Sequence, residues 1–162
     1  MNILRLPNPL LREKSKKVES MNAEIKSLCA KLKEQVYINK GCVGIAAPQT
    51  GSLRRIVVVD ASAGRKKCEN HGLIEMINPV IIRAEGSSIN REGCLSVPEY
   101  TGNVERADSV AIKYLDLKGE ERLLEASGFE AVIFQHEIDH LEGILFPDRV
   151  VSNRDLFLRK TF

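Results

Sequence analysis

Ser127-Gly128-Phe129-Glu130-Ala131-Val132-Ile133-Phe134-Gln135-His136-Glu137-Ile138-Asp139-His140-Leu141-Glu142-Gly143 decides the reading of this chain. Ser127 with Glu130 three residues on has the form of a helix capping box, and Gly143 suits a C-terminal stop. Between them Phe129, Val132, Ile133, His136 and His140 share one helical stripe. Phe134, Ile138 and Leu141 make a second. A helix that is apolar around most of its circumference is a buried helix, so two histidines on it need partners.

His136-Glu137-Ile138-Asp139-His140 is H-E-x-x-H. Residues four apart stack on one helix face, so both imidazoles can reach one ion, and Glu137 beside the first ligand can serve a water bound there. The plainer alternative is two core histidines bonded to backbone. The chain has three histidines and two are here, which favours the metal reading.

A catalytic site of this kind needs a third protein ligand and an open position. One class of helical metalloprotease continues H-x-x-G-x-x-H. Gly143 is in place, but Phe146 stands at the third histidine. Another class uses a later glutamate, and the sole one, Glu142, lies on the wrong face of the same helix. Asp148 and Asp155 are weaker candidates, so the ligand is expected upstream. Cys94, in the turn-like Glu92-Gly93-Cys94-Leu95-Ser96-Val97-Pro98, is the best one. Cys68 and His71 form a C-x-x-H pair that could also bind metal, but in a polar loop without further ligands.

Working outward, residues 6–11 with Pro7 and Pro9 read as an extended arm, because proline pushes its predecessor out of the helical region. A helix is expected from Asn22 as N-cap to about residue 37, with Ile25, Leu28, Cys29, Leu32 and Val36 on its core face. Residues 41–51 read as a loop of small residues. Ile56-Val57-Val58-Val59 reads as a buried strand, and 61–72 as a polar loop. Residues 73–78 and 80–84 read as short strands around Pro79, and 104–117 with 121–125 as a hairpin. Room remains for a short helix from about Asn153.

The 162 residues suit one domain, 1–162, able to bury a core without disulfides. A net charge of +2, with Lys and Arg scattered, gives no nucleic-acid motif, and Arg65-Lys66-Lys67 reads as a solvated loop. No apolar run approaches membrane-spanning length, and the N-terminus lacks the apolar core of a signal peptide. A cytoplasmic location is therefore expected, with Cys29, Cys42, Cys68 and Cys94 reduced. Cys29 falls on the core face of its helix, and Cys42 has no evident partner.

Three segments, Gly44-Ile45-Ala46-Ala47-Pro48-Gln49, Glu92-Gly93-Cys94-Leu95-Ser96 and Gln135-His136-Glu137-Ile138-Asp139-His140, resemble the signature motifs of the bacterial peptide deformylases, in order and at compatible separations. Pro7-Asn8-Pro9, the helix from Asn22 and Val104-Glu105-Arg106-Ala107 also resemble that family, so the likeness covers nearly the whole chain. It implies an α+β fold, with mixed or antiparallel strands around the central C-terminal H-E-x-x-H helix. It implies hydrolytic removal of the formyl group from N-formylmethionine of newly synthesised polypeptides by a metal-bound hydroxide. It implies one divalent metal on Cys94, His136 and His140, commonly Fe2+, with Zn2+, Ni2+ or Co2+ also accepted. Affinity rules alone would not select iron for a Cys/His/His set.

By the same resemblance Glu137 moves the protons, and the side chain of Gln49 with the N–H of Leu95 stabilises the oxyanion. Val43, Gly44 and Ile45 offer backbone to an extended peptide, and Val43, Phe129, Val132 and Ile133 are candidates for the methionine pocket. For Val132 and Ile133 plain core packing is an equal reading. Glu92 and Arg106 resemble a supporting ion pair, and Asp139 is placed to orient a ligand. The partners implied are formylmethionyl peptides and nascent chains. The first motif here has Cys42 where a glycine is usual. The long C-terminal helix that many members use at the ribosome has little room, so a ribosome contact stays open. A metallopeptidase would need a downstream ligand, and a structural metal module would need a fourth, from Cys68 or His71.

Overall fold

The computed structural model of the protein describes residues 1–160. Helix α1 spans Ala23–Ile38, and the Asn22 side chain caps it by accepting from the N–H of Ile25 at 3.0 Å. Strands β1 (Gly44–Ala46), β2 (Ile56–Asp60), β3 (Leu73–Glu85), β6 (Ser109–Leu115) and β7 (Glu121–Ser127) form an antiparallel sheet in the order β1-β2-β3-β6-β7. Strands β4 (Ser88–Cys94), β5 (Val97–Arg106) and β8 (Leu156–Leu158) form a second sheet in the order β4-β5-β8. Helix α2 spans Gly128–Leu141 and packs against β1, β2 and β7.

The large sheet lies between the two helices, and β2 shows why. Val57 and Val59 pack into the core with Phe134, Ile138 and Leu141 of α2. Ile56 and Val58 pack with Cys29, Leu32 and Val36 of α1. Covered on both faces, β2 is a continuous apolar run rather than an alternating one, and each side chain so buried contributes about 1.5–3 kcal/mol. The α+β fold expected from the sequence is the fold found.

The local expectations need several corrections. The arm is not extended throughout, because Asn8 caps a 3-10 turn over Pro9–Arg12. Residues 41–51 hold β1 and a 3-10 turn at Ala47–Thr50. Pro79 does not divide two strands: it sits in the irregularity between Ile77 and Val80, where β3 passes from pairing with β2 to pairing with β6. The 104–117 run belongs to two sheets, β5 ending at Arg106 and β6 starting at Ser109. β4 has no counterpart among the expected strands, and the turn after it is only Leu95 and Ser96. The chain from Asn153 makes one 3-10 turn and then β8 in place of a helix.

The capping box at α2 does not form either. Ser127 sits at the N-cap but its side chain makes no cap bond, since the residue closes the β6–β7 ladder opposite Ser109. Gly128, at φ 58°, turns the chain directly from strand into helix. Glu130 instead reaches the 61–72 loop, where one oxygen accepts from the His71 N–H at 2.7 Å and the other lies 2.6 Å from His71 Nδ1.

Candidate metal centre and catalytic pocket

Alternation along β4 places Glu92 and Cys94 inward while Arg91 and Gly93 face out. α2, packed on the larger sheet, brings His136 and His140 to the same point. The Cys94 sulfur and a nitrogen from each imidazole lie within 4.8 Å of one another, all on buried residues. Cys94 Sγ is 3.4 Å from His140 Nε2. His136 Nδ1 lies 2.8 Å from Glu92 Oε1, which leaves Nε2 for the centre. The downstream alternatives are engaged elsewhere: Glu142 pairs with Arg55, Asp148 with Arg12, and Asp155 bonds to Asn103 and Ser152. Cys68 and His71 stand outside the cluster, and His71 is taken by Glu130.

Behind the histidines is a buried charge network. Arg106 forks onto Glu92 with bonds of 2.8 and 2.9 Å and reaches Asp139 at 2.6 Å. Asp139 is also held by Arg149, at 2.5 and 3.0 Å. Asp139 therefore steadies Arg106 rather than touching a histidine. Burial pushes the Glu92 carboxyl up, but bonds from Arg106 and His136 outweigh it and bring the pKa down to about 2. His136 responds in the opposite sense: burial lowers it, but the Cys94 sulfur and Glu92 hold its proton well above the usual imidazole range. His140, buried and near the charges of His136 and Arg106, falls well below that range.

Glu137 is 4% exposed, and burial raises its carboxyl to about 7, the range useful to a general base at neutral pH. Its Oε2 and the Nδ1 of His140 are buried with no hydrogen-bond partner among the described residues. Leaving such atoms unpaired costs about 1–3 kcal/mol each, so these polar groups are kept for something other than packing. One thiol sulfur and two imidazoles, with no fourth protein donor in the cluster among the described residues, fit a divalent ion of borderline hardness with a coordination position left over.

Gln49 is 2% exposed and oriented at both ends. Its Oε1 accepts from the Ala46 N–H at 2.9 Å, so its Nε2 faces Ser96 Oγ at 3.1 Å and Cys94 Sγ at 3.5 Å. Leu95 follows Cys94 in the β4–β5 turn and lines the same cavity. Two backbone hydrogen bonds from the arm hold this corner: Leu4 N–H to the Gln49 carbonyl at 2.7 Å and Leu6 N–H to that of Ser96 at 3.0 Å.

The cavity over the centre is lined on its apolar side by Val43, Phe129, Val132 and Ile133, with Gly44 on the floor. A Cβ on Gly44 would meet Glu137 Cγ at 2.9 Å and Ile133 Cγ2 at 3.0 Å, so only glycine lets β1 pass so close to Glu137. Ile45 is different, because its side chain is wholly buried in the α1 core and only its backbone can serve this side. Cys42 lines the cavity with its sulfur 3.2 Å from the Gly44 carbonyl, and burial pushes its thiol up to about 12. Sequence reasoning missed three features: Ser96 as partner of Gln49, the Lys66 ammonium 4.8 Å over the Phe129 ring, and the cations Lys40, Arg91 and Arg159 around the opening. Of these only Ser96 had a signal, its place two residues after Cys94.

Comparison with known proteins gives one answer. The family profile described as polypeptide deformylase matches residues 1–155. A protein of Halothermothrix orenii named peptide deformylase is 48% identical over 151 residues, covering 93% of this chain and 94% of that protein. The crystal structure of a peptide deformylase from Legionella pneumophila is similar with a TM-score of 0.85 at 37% identity, over 94% of this chain and 86% of that one. That of the peptide deformylase from Thermotoga maritima is similar with a TM-score of 0.84 at 34% identity, over 93% and 97% of the two chains.

Proposed function

Because the chain belongs to the peptide deformylase family, metal-dependent hydrolases that remove the N-terminal formyl group from nascent polypeptides, we propose that Cys94, His136 and His140 hold its metal and that Glu137 moves the protons. The observation that carries this is the convergence of the three ligand atoms beside a buried carboxylate with one unpartnered oxygen. We propose Fe2+ as the ion in the cell, with Zn2+, Ni2+ or Co2+ able to replace it, and one catalytic domain over residues 1–162. Among the described residues no helix is long and apolar enough to cross a membrane, and we place the reaction in the cytoplasm, where nascent chains are made.

A bound divalent ion supplies Lewis acidity that makes water a nucleophile near neutral pH and polarises the formyl carbonyl. Glu137 takes the water proton and passes it to the departing amine as formate leaves. Gln49, pinned by Ala46, and the Leu95 N–H donate to the carbonyl oxygen as negative charge develops on it. β1 is an edge strand, so the substrate backbone can pair alongside Val43, Gly44 and Ile45. The methionine side chain enters among Val43, Phe129, Val132 and Ile133. Glu92 and Arg106 hold His136 in orientation. Ribosome docking through a C-terminal helix is no part of this proposal, since residues 156–158 are strand.

The test is formate release from formyl-Met-Ala-Ser under nitrogen, with Glu137→Gln loaded with metal in parallel. Activity in the parent and its near loss in a variant that keeps its metal support the assignment. A metal-loaded parent that releases no formate would overturn it.

A further inference from the structure

We propose that this chain selects among formylated substrates by charge, favouring an acidic side chain in the first few residues after the methionine. The inference rests on the deformylase reading above. It starts from the cavity's opening, where Lys40 stands on the α1 side and Arg91 and Arg159 on the β4 side. The carboxylates that line the cavity are Glu92 and Glu137. Glu92 is sealed between Arg106 and His136, and Glu137 is on the floor. The rim therefore presents positive charge to whatever passes through it.

None of the three rim cations forms an ion pair among the described residues. Arg91 is oriented entirely by neutral groups. Its Nε donates to Asn103 Oδ1 at 3.0 Å, its Nη1 to Thr101 Oγ1 at 3.3 Å, and its guanidinium lies 4.0 Å from the centre of the Phe157 ring. The carboxylate that feels its charge, Asp155, is turned to Asn103 and Ser152 instead. Arg91 is thus oriented with no carboxylate in direct contact.

β8 brings the second guanidinium to the same place. Phe157 pairs with Thr101, which pairs with Gly93, and the Arg159 N–H bonds to the Glu99 carbonyl at 2.8 Å. The Arg159 side chain then folds back across β5, and its guanidinium fills the space that a Cβ on Gly93 would take. That position is one residue from Cys94. Gly93 is exposed, so the guanidinium meets solvent at the cavity's edge.

A substrate with its formyl group at Cys94 and its methionine in the apolar pocket must send the rest of its chain out through this rim. At about 3.3 Å per extended residue, the second to fourth residues pass the three cations. An aspartate or glutamate there gains attraction, and a lysine or arginine meets repulsion. Exposed pairs are individually weak, so an Asp-over-Lys preference of about three- to tenfold is expected, carried by KM.

The experiment compares formyl-Met-Ala-X-Ala amides with X as Asp, Asn or Lys, so that no terminal carboxylate competes. The expected result is kcat/KM in the order Asp, Asn, Lys at low salt, with the ratio shrinking toward one at 0.5 M salt, as screening predicts. Arg159→Gln and Arg91→Gln should each reduce the ratio, and Arg159→Lys should retain more of it than Arg159→Gln. An Asp/Lys ratio of one in the parent, or a ratio that neither variant nor salt changes, overturns the proposal. If the neutral Asn peptide is itself not deformylated, the functional reading fails and this inference fails with it, a result distinct from cleavage without charge preference.

Discussion

Glu92 Oε1 lies 2.8 Å from His136 Nδ1, a carboxylate on β4 fixing the ring of a histidine on α2. The same carboxylate is gripped by Arg106 through two bonds, so one buried group ties two strands of the smaller sheet to the helix. The pair is nearly solvent-free, with Glu92 7% and Arg106 5% exposed.

Arg106→Ala should therefore be costly. It leaves Glu92 a buried charge without its cation and Asp139 with Arg149 alone, a loss of about 3–5 kcal/mol for such a pair. Urea denaturation of parent and variant with the same metal content will show it. The milder Glu92→Gln keeps the shape but weakens the hold on His136, and metal affinity should drop about 10- to 100-fold in chelator competition.

Gly44→Ala tests how closely β1 must approach Glu137. The added methyl needs space already held by Glu137 and Ile133. Formate release should fall by about 100-fold, the cost of a small misplacement of a reacting group, while metal content stays at the parent's level. Kinetics with metal analysis on the same sample decides the matter, and unchanged kcat would contradict the tight packing.

Asp60 predicts acid sensitivity away from the metal. Burial pushes its carboxyl up, but Ser62 and the Tyr37 hydroxyl, which donates at 2.7 Å, together hold it below its ordinary 3.8. A lowered folded pKa contributes stability above the unfolded value that is lost as pH falls through the folded one. The parent should thus lose stability below about pH 4 faster than Asp60→Asn does. Urea midpoints collected from pH 6 to 2.5 would reveal it, and parallel curves would count against this role.

The cysteines should differ in reactivity. Burial pushes the thiols of Cys29 and Cys42 up to about 12, whereas Cys68 is partly exposed in the 61–72 loop. Iodoacetamide on the folded, metal-loaded protein should label Cys68 first and leave Cys29 and Cys42 until denaturant is added. Peptide mapping by mass spectrometry reads the order directly.

What the sequence made legible was what local spacing controls. α2 showed itself through two apolar stripes and histidines four apart, and β2 through a β-branched run. β4 was hidden because its inward residues include Glu92 and Cys94, and a buried glutamate is sensible only once Arg106 is known to face it. The capping box misled because Glu130 has a partner 59 positions away in His71. The Arg159 guanidinium over Gly93 depends on the registers of three strands, which no local pattern carries.

The arm at the N-terminus has a consequence for how the chain is born. Leu4 and Leu6 bond to Gln49 and Ser96, Ser15 to the Leu141 carbonyl at 2.9 Å, and the Arg12 carbonyl lies where a side chain on Gly143 would be. Residues 12–15 thus find their places only after residues 141–143 have been added. During synthesis the stretch that joins the arm to α2 stays unfastened until that helix is complete, and its closure is a late event of folding, as contacts of such long sequence separation require.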